Sequence, residues 1–275
     1  MRELHHPGAS ARASALAFML LALGAGEAAL RADSGDRLRP KLGPHAVTIQ
    51  QSHEYLRTHE APDYWALSPF YVPQSTGSAC SVAALAMLVN ALRGLPPLAS
   101  DELVTQAALL HAVGSQTWAS QTEEGGPGVT FEEVRAYIAL SLHAYGIDAE
   151  IDVFKPADGS PSTLASLRAL LAGNEQSPQD IVMAYFNQGV ITGDWDGPHL
   201  SPVGAYDGDA SRVLIMDVDR QFYLPYWTSD QKLLESMLRP APAKEGRLAG
   251  ETGGIFRVML RSGQARGAPA AGRPQ

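Results

Sequence analysis

The sequence predicts an α+β fold in which a helix with a thiol at its start is buried against an antiparallel sheet. Three observations carry that expectation. An apolar, breaker-free segment follows the only cysteine, helical segments precede most strand segments, and two strands are joined by a tight polar turn.

Ser81 to Leu92 (SVAALAMLVNAL) is apolar nearly all round, the pattern of a buried helix, and Arg93-Gly94 followed by Pro96-Pro97 closes it. Further helices are expected at Ser100 to Val113, Thr130 to Tyr145 and Ser162 to Leu171. Each opens on a side-chain oxygen able to accept a free helix N–H: Ser100, Thr130 with Glu133 at capping-box spacing, and Ser162. Strands are expected at Asp148 to Phe154, Ile181 to Phe186, Ser201 to Tyr206, Val213 to Val218 and Ile255 to Leu260. Asp207-Gly208-Asp209 is the turn signal between the third and fourth of these.

The chain has 275 residues, 45% hydrophobic and 18% charged, a balance that can bury a sizeable core. Arg2 and Arg12 precede an uncharged run from Ala13 to Gly26, with Gly26 and Ala28 placed for a cut before Ala29. Residues 1–28 therefore read as a signal peptide, with export to a bacterial periplasm. The run is short of the roughly 20 residues a membrane span needs, so stable membrane insertion is not expected. Residues 29–60 read as a lead-in, 61–261 as the catalytic domain, and 262–275 (SGQARGAPAAGRPQ) as a disordered tail. With 21 Lys and Arg against 29 Asp and Glu, the net charge is −8, which argues against nucleic acid as a partner. One cysteine excludes an intrachain disulfide and any paired-cysteine metal site.

Cys80 sits where the loop Gln74-Ser75-Thr76-Gly77-Ser78-Ala79 runs into the apolar helix. Unpaired N–H groups in the first helical turn favour the thiolate and so a nucleophile, although a free cysteine is more often buried and inert. A partner comes from the hairpin. If its turn centres on Gly208, Val203 faces Val213, Ser201 faces Ile215 and His199 faces Asp217, close enough for the carboxylate to orient the imidazole. Gln74, six residues before Cys80, can add a side-chain N–H to an oxyanion hole. Gln, Cys, His and Asp in that order, helix before sheet, is the arrangement of papain-like thiol enzymes.

These residues resemble the phytochelatin synthase family. The likeness runs through QSTGSACSVAALAMLVNAL (Gln74 to Leu92), GVTF (Gly128 to Phe131), GDWDGPH into SPVGAY (Gly193 to Tyr206), and DVDR with YLPYW (Asp217 to Trp227). The resemblance implies a papain-like fold and a Cys80, His199 and Asp217 triad, with Gln74 lining the oxyanion hole. It also implies glutathione as substrate. The thiolate attacks the Cys–Gly amide, glycine leaves, and the γ-glutamylcysteinyl group passes to water or to a second glutathione. Arg220 and Tyr223 fall in a stretch resembling the family's substrate-binding region. No cofactor is expected to be tightly bound; heavy-metal ions such as cadmium and zinc enter as glutathione thiolates. A homodimer is a further expectation.

The chain also departs from the family. Ser81 follows Cys80 where Gly is usual, and Gly253-Gly254-Ile255-Phe256 lacks the Arg usually found beside Gly-Phe. An insertion around Trp195 lengthens the approach to His199, and the chain resembles the short bacterial members, which favour glycine removal and are expected to lack a Cys-rich C-terminal extension. The alternatives to glutathione turnover are a peptide-thiol binder with an altered pocket and a cysteine peptidase or amidase acting on another small peptide. His45, His53 and His59 read as surface residues, and Trp65, Trp118, Trp195 and Trp227 as packing residues.

Overall fold

The computed structural model describes residues 41–95, 98 and 100–261. The expected leader and C-terminal tail lie outside the described residues. In chain order the elements are β1 (Val47–Thr48), α1 (Glu54–Thr58), α2 (Pro62–Leu67), α3 (Cys80–Arg93), α4 (Gln106–Val113), α5 (Gln116–Thr122), α6 (Phe131–Ala144), β2 (Ala149–Phe154), α7 (Pro161–Glu175), β3 (Asp180–Asn187), α8 (Gln188–Thr192), β4 (Pro198–Asp207), β5 (Arg212–Ile215), β6 (Tyr226–Ser229), α9 (Asp230–Leu238) and β7 (Gly254–Leu260). The strands pair antiparallel in one seven-stranded sheet, ordered β1-β6-β5-β4-β3-β7-β2.

Helices cover both faces of this sheet. Along β3, Ile181, Met183 and Tyr185 join the core built on α3, while Val182, Ala184 and Phe186 join the core on the α7 and α9 side. This is the period-2 alternation of a strand buried on both faces. Every residue of α3 from Ser81 to Leu92 is buried, as its all-round apolar pattern predicts. Burying each of its leucines stabilises the fold by roughly 1.5–3 kcal/mol. Val47 pairs with Trp227, and Tyr55 and Leu56 of α1 pack beside that ring, so the stretch expected as a lead-in adds to the sheet and core.

Several boundaries differ from expectation for identifiable reasons. The helix expected from Ser100 begins at Gln106, capped by Thr105. The Asn90 side chain holds both the N–H and the carbonyl of Val104 at 2.9 Å, which keeps that backbone out of a helix. Ser115 caps α5, which the sequence reading did not separate from its surroundings. Ser160 caps α7 in place of Ser162, with Pro161 in the first turn. Thr130 and Glu133 form the expected capping box. β6 and α9 were not foreseen; Pro225 obscures the strand pattern, and Ser229 caps the helix that follows.

The hairpin register is the main correction. Tyr206 pairs with Val213 and Val203 with Ile215, with a bulge between Val203 and Ala205. The turn is longer than Asp-Gly-Asp because the Asp207 carboxylate accepts the Ala210 N–H at 3.0 Å and Ser211 adopts φ 52°. His199 therefore does not stand opposite Asp217, which lies beyond the end of β5, and its strand partner on the other side of β4 is Phe186 of β3.

Candidate functional site

The N-terminus of α3 is capped by Ala79, which offers no side-chain acceptor, so its first N–H groups are left for a ligand. Cys80 is partly exposed at this position and lines a cleft of about 1050 Å³. The preceding loop is braced on the other side of the cleft. Thr76 Oγ1 donates to the Thr122 carbonyl at 2.7 Å, Ser78 Oγ to the Gly126 carbonyl at 2.8 Å, and the Gly77 N–H to Glu124 at 3.2 Å. Gln74 lines the same cleft, anchored by its backbone N–H to the Val218 carbonyl at 2.8 Å. Its amide nitrogen makes only a long contact, 3.5 Å from the Gly77 carbonyl.

His199 Nε2 stands 3.0 Å from Asp217 Oδ1, and both side chains are buried. The contact forms even though the two residues are not strand partners, because the chain leaves β5 and carries Asp217 to the sheet's end beside Ser201. There the Val218 N–H donates to Ser201 Oγ at 3.3 Å, and the same oxygen lies 2.9 Å from His199 Nε2. Burial alone would lower the His199 pKa. The Asp217 charge and hydrogen bond, with a smaller contribution from the neighbouring Cys80, outweigh it and raise the pKa to about 10. With Nε2 engaged by Asp217 and Ser201, Nδ1 is the nitrogen left for Cys80.

Asp217 is held on every side. Gln188 Nε2 donates to its Oδ2 at 2.7 Å, the Asp219 N–H donates to its Oδ1 at 2.9 Å, and the Tyr71 hydroxyl donates to its backbone carbonyl. Neither Gln188 nor Ser201 was singled out from sequence. Ser201 had a usable signal, two residues from His199 on the same strand and so on the same face. Gln188 had none, being a polar residue at the start of a short helix whose partner is distant in the chain.

The remaining expected residues also line the cleft. The Arg220 guanidinium lies 4.6 Å from the centre of the Tyr71 ring, and the buried Tyr223 donates its hydroxyl to Asp194 at 3.0 Å. Of the tryptophans, Trp118 and Trp227 pack in the core, whereas Trp65 and Trp195 are exposed and Trp195 faces the cleft. Gly253 is flush against β3, since a Cβ there would fall on the Tyr185 carbonyl. Among the described residues, no three His, Cys, Asp or Glu side chains converge as a metal site, and no helix is long and apolar enough to cross a membrane.

The family model described as phytochelatin synthase matches residues 46–246, most of the chain and all of these side chains. The chain belongs to the phytochelatin synthase family. Among curated proteins, it is 24% identical over 193 residues to glutathione gamma-glutamylcysteinyltransferase 1 of Arabidopsis thaliana, covering 67% of this chain and 36% of that one. It is 23% identical over 184 residues to glutathione gamma-glutamylcysteinyltransferase 3 of Lotus japonicus, covering 63% of this chain and 34% of that one. The chain thus spans about a third of the length of these relatives. The solved Pseudomonas avirulence protein AvrPphB overlaps 70% of this chain and 100% of its own at 12% identity and a TM-score of 0.33, too loosely to support an argument. The chain is α+β, with Cys80 at the head of a buried helix packed on an antiparallel sheet.

Proposed function

We propose that this member of the family is a cysteine-dependent γ-glutamylcysteinyl transferase and hydrolase acting on glutathione. The observation that carries the reading is His199, buried against Asp217 at 3.0 Å and set beside Cys80 in a family whose relatives are named for this transfer. Cys80 adds to the carbonyl carbon of the Cys–Gly amide, its thiol proton being held by His199. The oxyanion takes N–H groups from the uncapped start of α3 and from Gln74. As the C–N bond breaks, His199 gives its proton to the departing glycine amine, leaving a thioester on Cys80. Water or the amine of a second glutathione then attacks the thioester, and its proton returns to His199. The products are γ-glutamylcysteine or a longer γ-glutamylcysteinyl chain. Asp217 keeps the imidazole oriented and stabilises its charged form whenever it holds the proton. Cadmium or zinc would take part as glutathione thiolates, and so as substrate.

The experiment is to incubate the protein with glutathione, with and without cadmium, and follow glycine and products by mass spectrometry beside Cys80→Ala. Glycine release with a γ-glutamylcysteinyl mass increment on Cys80 is expected, absent in the variant. No release from folded protein with reduced Cys80 would refute the reading.

A further inference from the structure

Trp195, Phe222 and Leu224 are 39%, 46% and 37% exposed, and all three line the cleft that holds Cys80 and His199. Single exposed apolar side chains are ordinary, but three in one cleft mark a binding surface. This part of the cleft is firmly built. The Trp195 indole rests on Gly197, where any Cβ would strike its ring, and Gly189 lets the Trp195 carbonyl and the Asp196 backbone pack against it. Asn187 Nδ2 donates to Asp196 Oδ1 at 2.8 Å. The Tyr223 hydroxyl then ties Asp194 to the segment bearing Phe222 and Leu224. Arg220, the single Arg or Lys among the described residues lining the cleft, lies on that same segment.

The departing amine must lie within reach of the imidazole that protonates it, so the leaving residue occupies the His199 side of the cleft. Trp195 lies shortly before His199 in the chain, and Arg220 to Leu224 follow shortly after Asp217. We propose that these residues form a leaving-group subsite for an apolar amino acid with a free carboxylate. γ-Glutamylcysteinyl peptides ending in leucine or phenylalanine would then be better acyl donors than glutathione, whose glycine has no side chain to bury. The inference rests on the acyl chemistry at Cys80 proposed above. The step is the same: the Cys–Leu C–N bond breaks, leucine leaves with a proton from His199, and water releases γ-glutamylcysteine.

The test compares kcat/KM for glutathione, γ-Glu-Cys-Leu and γ-Glu-Cys-Phe in the intact protein, Trp195→Ala and Phe222→Ala. Hydrophobic pockets discriminate added methylenes by roughly tenfold or more, so at least about a tenfold preference for the apolar peptides is expected, falling toward unity in the variants. A ratio of two substrates is independent of the fraction of each variant that folds. Replacing the leucine carboxylate by an amide should weaken turnover, and less so in Arg220→Gln. Glutathione turned over as well as or better than the apolar peptides would overturn the subsite while leaving the acyl chemistry standing. Cleavage of none of them by folded protein with a titratable Cys80 thiol would overturn both.

Discussion

Gln188 Nε2 donates to Asp217 Oδ2 at 2.7 Å, a fully buried hydrogen bond from the start of α8 to the segment that follows β5. It supplies the carboxylate oxygen that His199 does not reach, in a place where water cannot substitute. Gln188→Leu leaves that oxygen without this donor and weakens the hold of Asp217 on the imidazolium. We expect kcat/KM for glycine release to fall about tenfold with KM nearly unchanged, and the alkaline limb of the pH profile to move down. A profile superimposable on that of the wild type would show that the bond has no influence on the imidazole.

Asp217→Asn keeps the shape and removes the charge that offsets burial of His199. The His199 pKa, read by NMR titration of the imidazole, should drop from about 10 toward or below the ordinary histidine value. Glycine release should slow by roughly a hundredfold or more if the carboxylate orients the ring as proposed.

The same shift makes a prediction for stability. The folded-state pKa of His199 is about 10 against 6.5 for an ordinary histidine, so the folded protein binds this proton more tightly than the unfolded chain. Its contribution is complete below about 6.5 and is lost as pH rises through about 10. Urea unfolding at pH 7 and at pH 10.5 should show the loss, and His199→Gln should remove that component of the difference.

At Gly253 the backbone is pressed onto β3 and α9, since a Cβ would fall on the Tyr185 carbonyl and come within 3.0 Å of Met237 Cα. Gly253→Ala must therefore displace backbone, at a cost of about 1–3 kcal/mol, the scale of overpacking. Thermal unfolding reads this directly, and an unchanged Tm would contradict it.

Ser201→Ala removes the oxygen that lies beside His199 Nε2 and accepts the Val218 N–H. An unpaired buried N–H costs about 1–3 kcal/mol, so a lower Tm is expected together with a lower kcat. Ser201→Thr, which retains the hydroxyl, should recover most of the activity if the hydroxyl is what matters.

What was legible in the sequence follows from local physics. The all-round apolar run after Cys80 can only be a buried helix, and Thr130 with Glu133 caps the next long one by contacts three residues apart. The helix start pointed to Cys80, the expected hairpin pairing to His199 and Asp217, and the family resemblance to all three. His199 and Asp217 are not the cross-strand partners that the expected register makes them, although their side chains meet at 3.0 Å. A one-residue uncertainty in a turn moves every cross-strand pair, and the bulge at Gly204 and the Asp207–Ala210 hydrogen bond set that turn by contacts no alternation pattern records.

By itself, then, the sequence determined the α+β class, the buried helix that presents Cys80 at its start, and the family, because these rest on periodicity, caps and ordered motifs carried by neighbouring residues. Only the tertiary structure decided how Asp217 meets His199 from beyond the end of β5. It also decided that Gln188 and Ser201 complete their hydrogen bonds and that Trp195 faces the cleft rather than the core. Those relationships join residues far apart in the chain or at irregular backbone. Their energy comes from burial and hydrogen-bond satisfaction in the assembled fold, which local propensity does not encode.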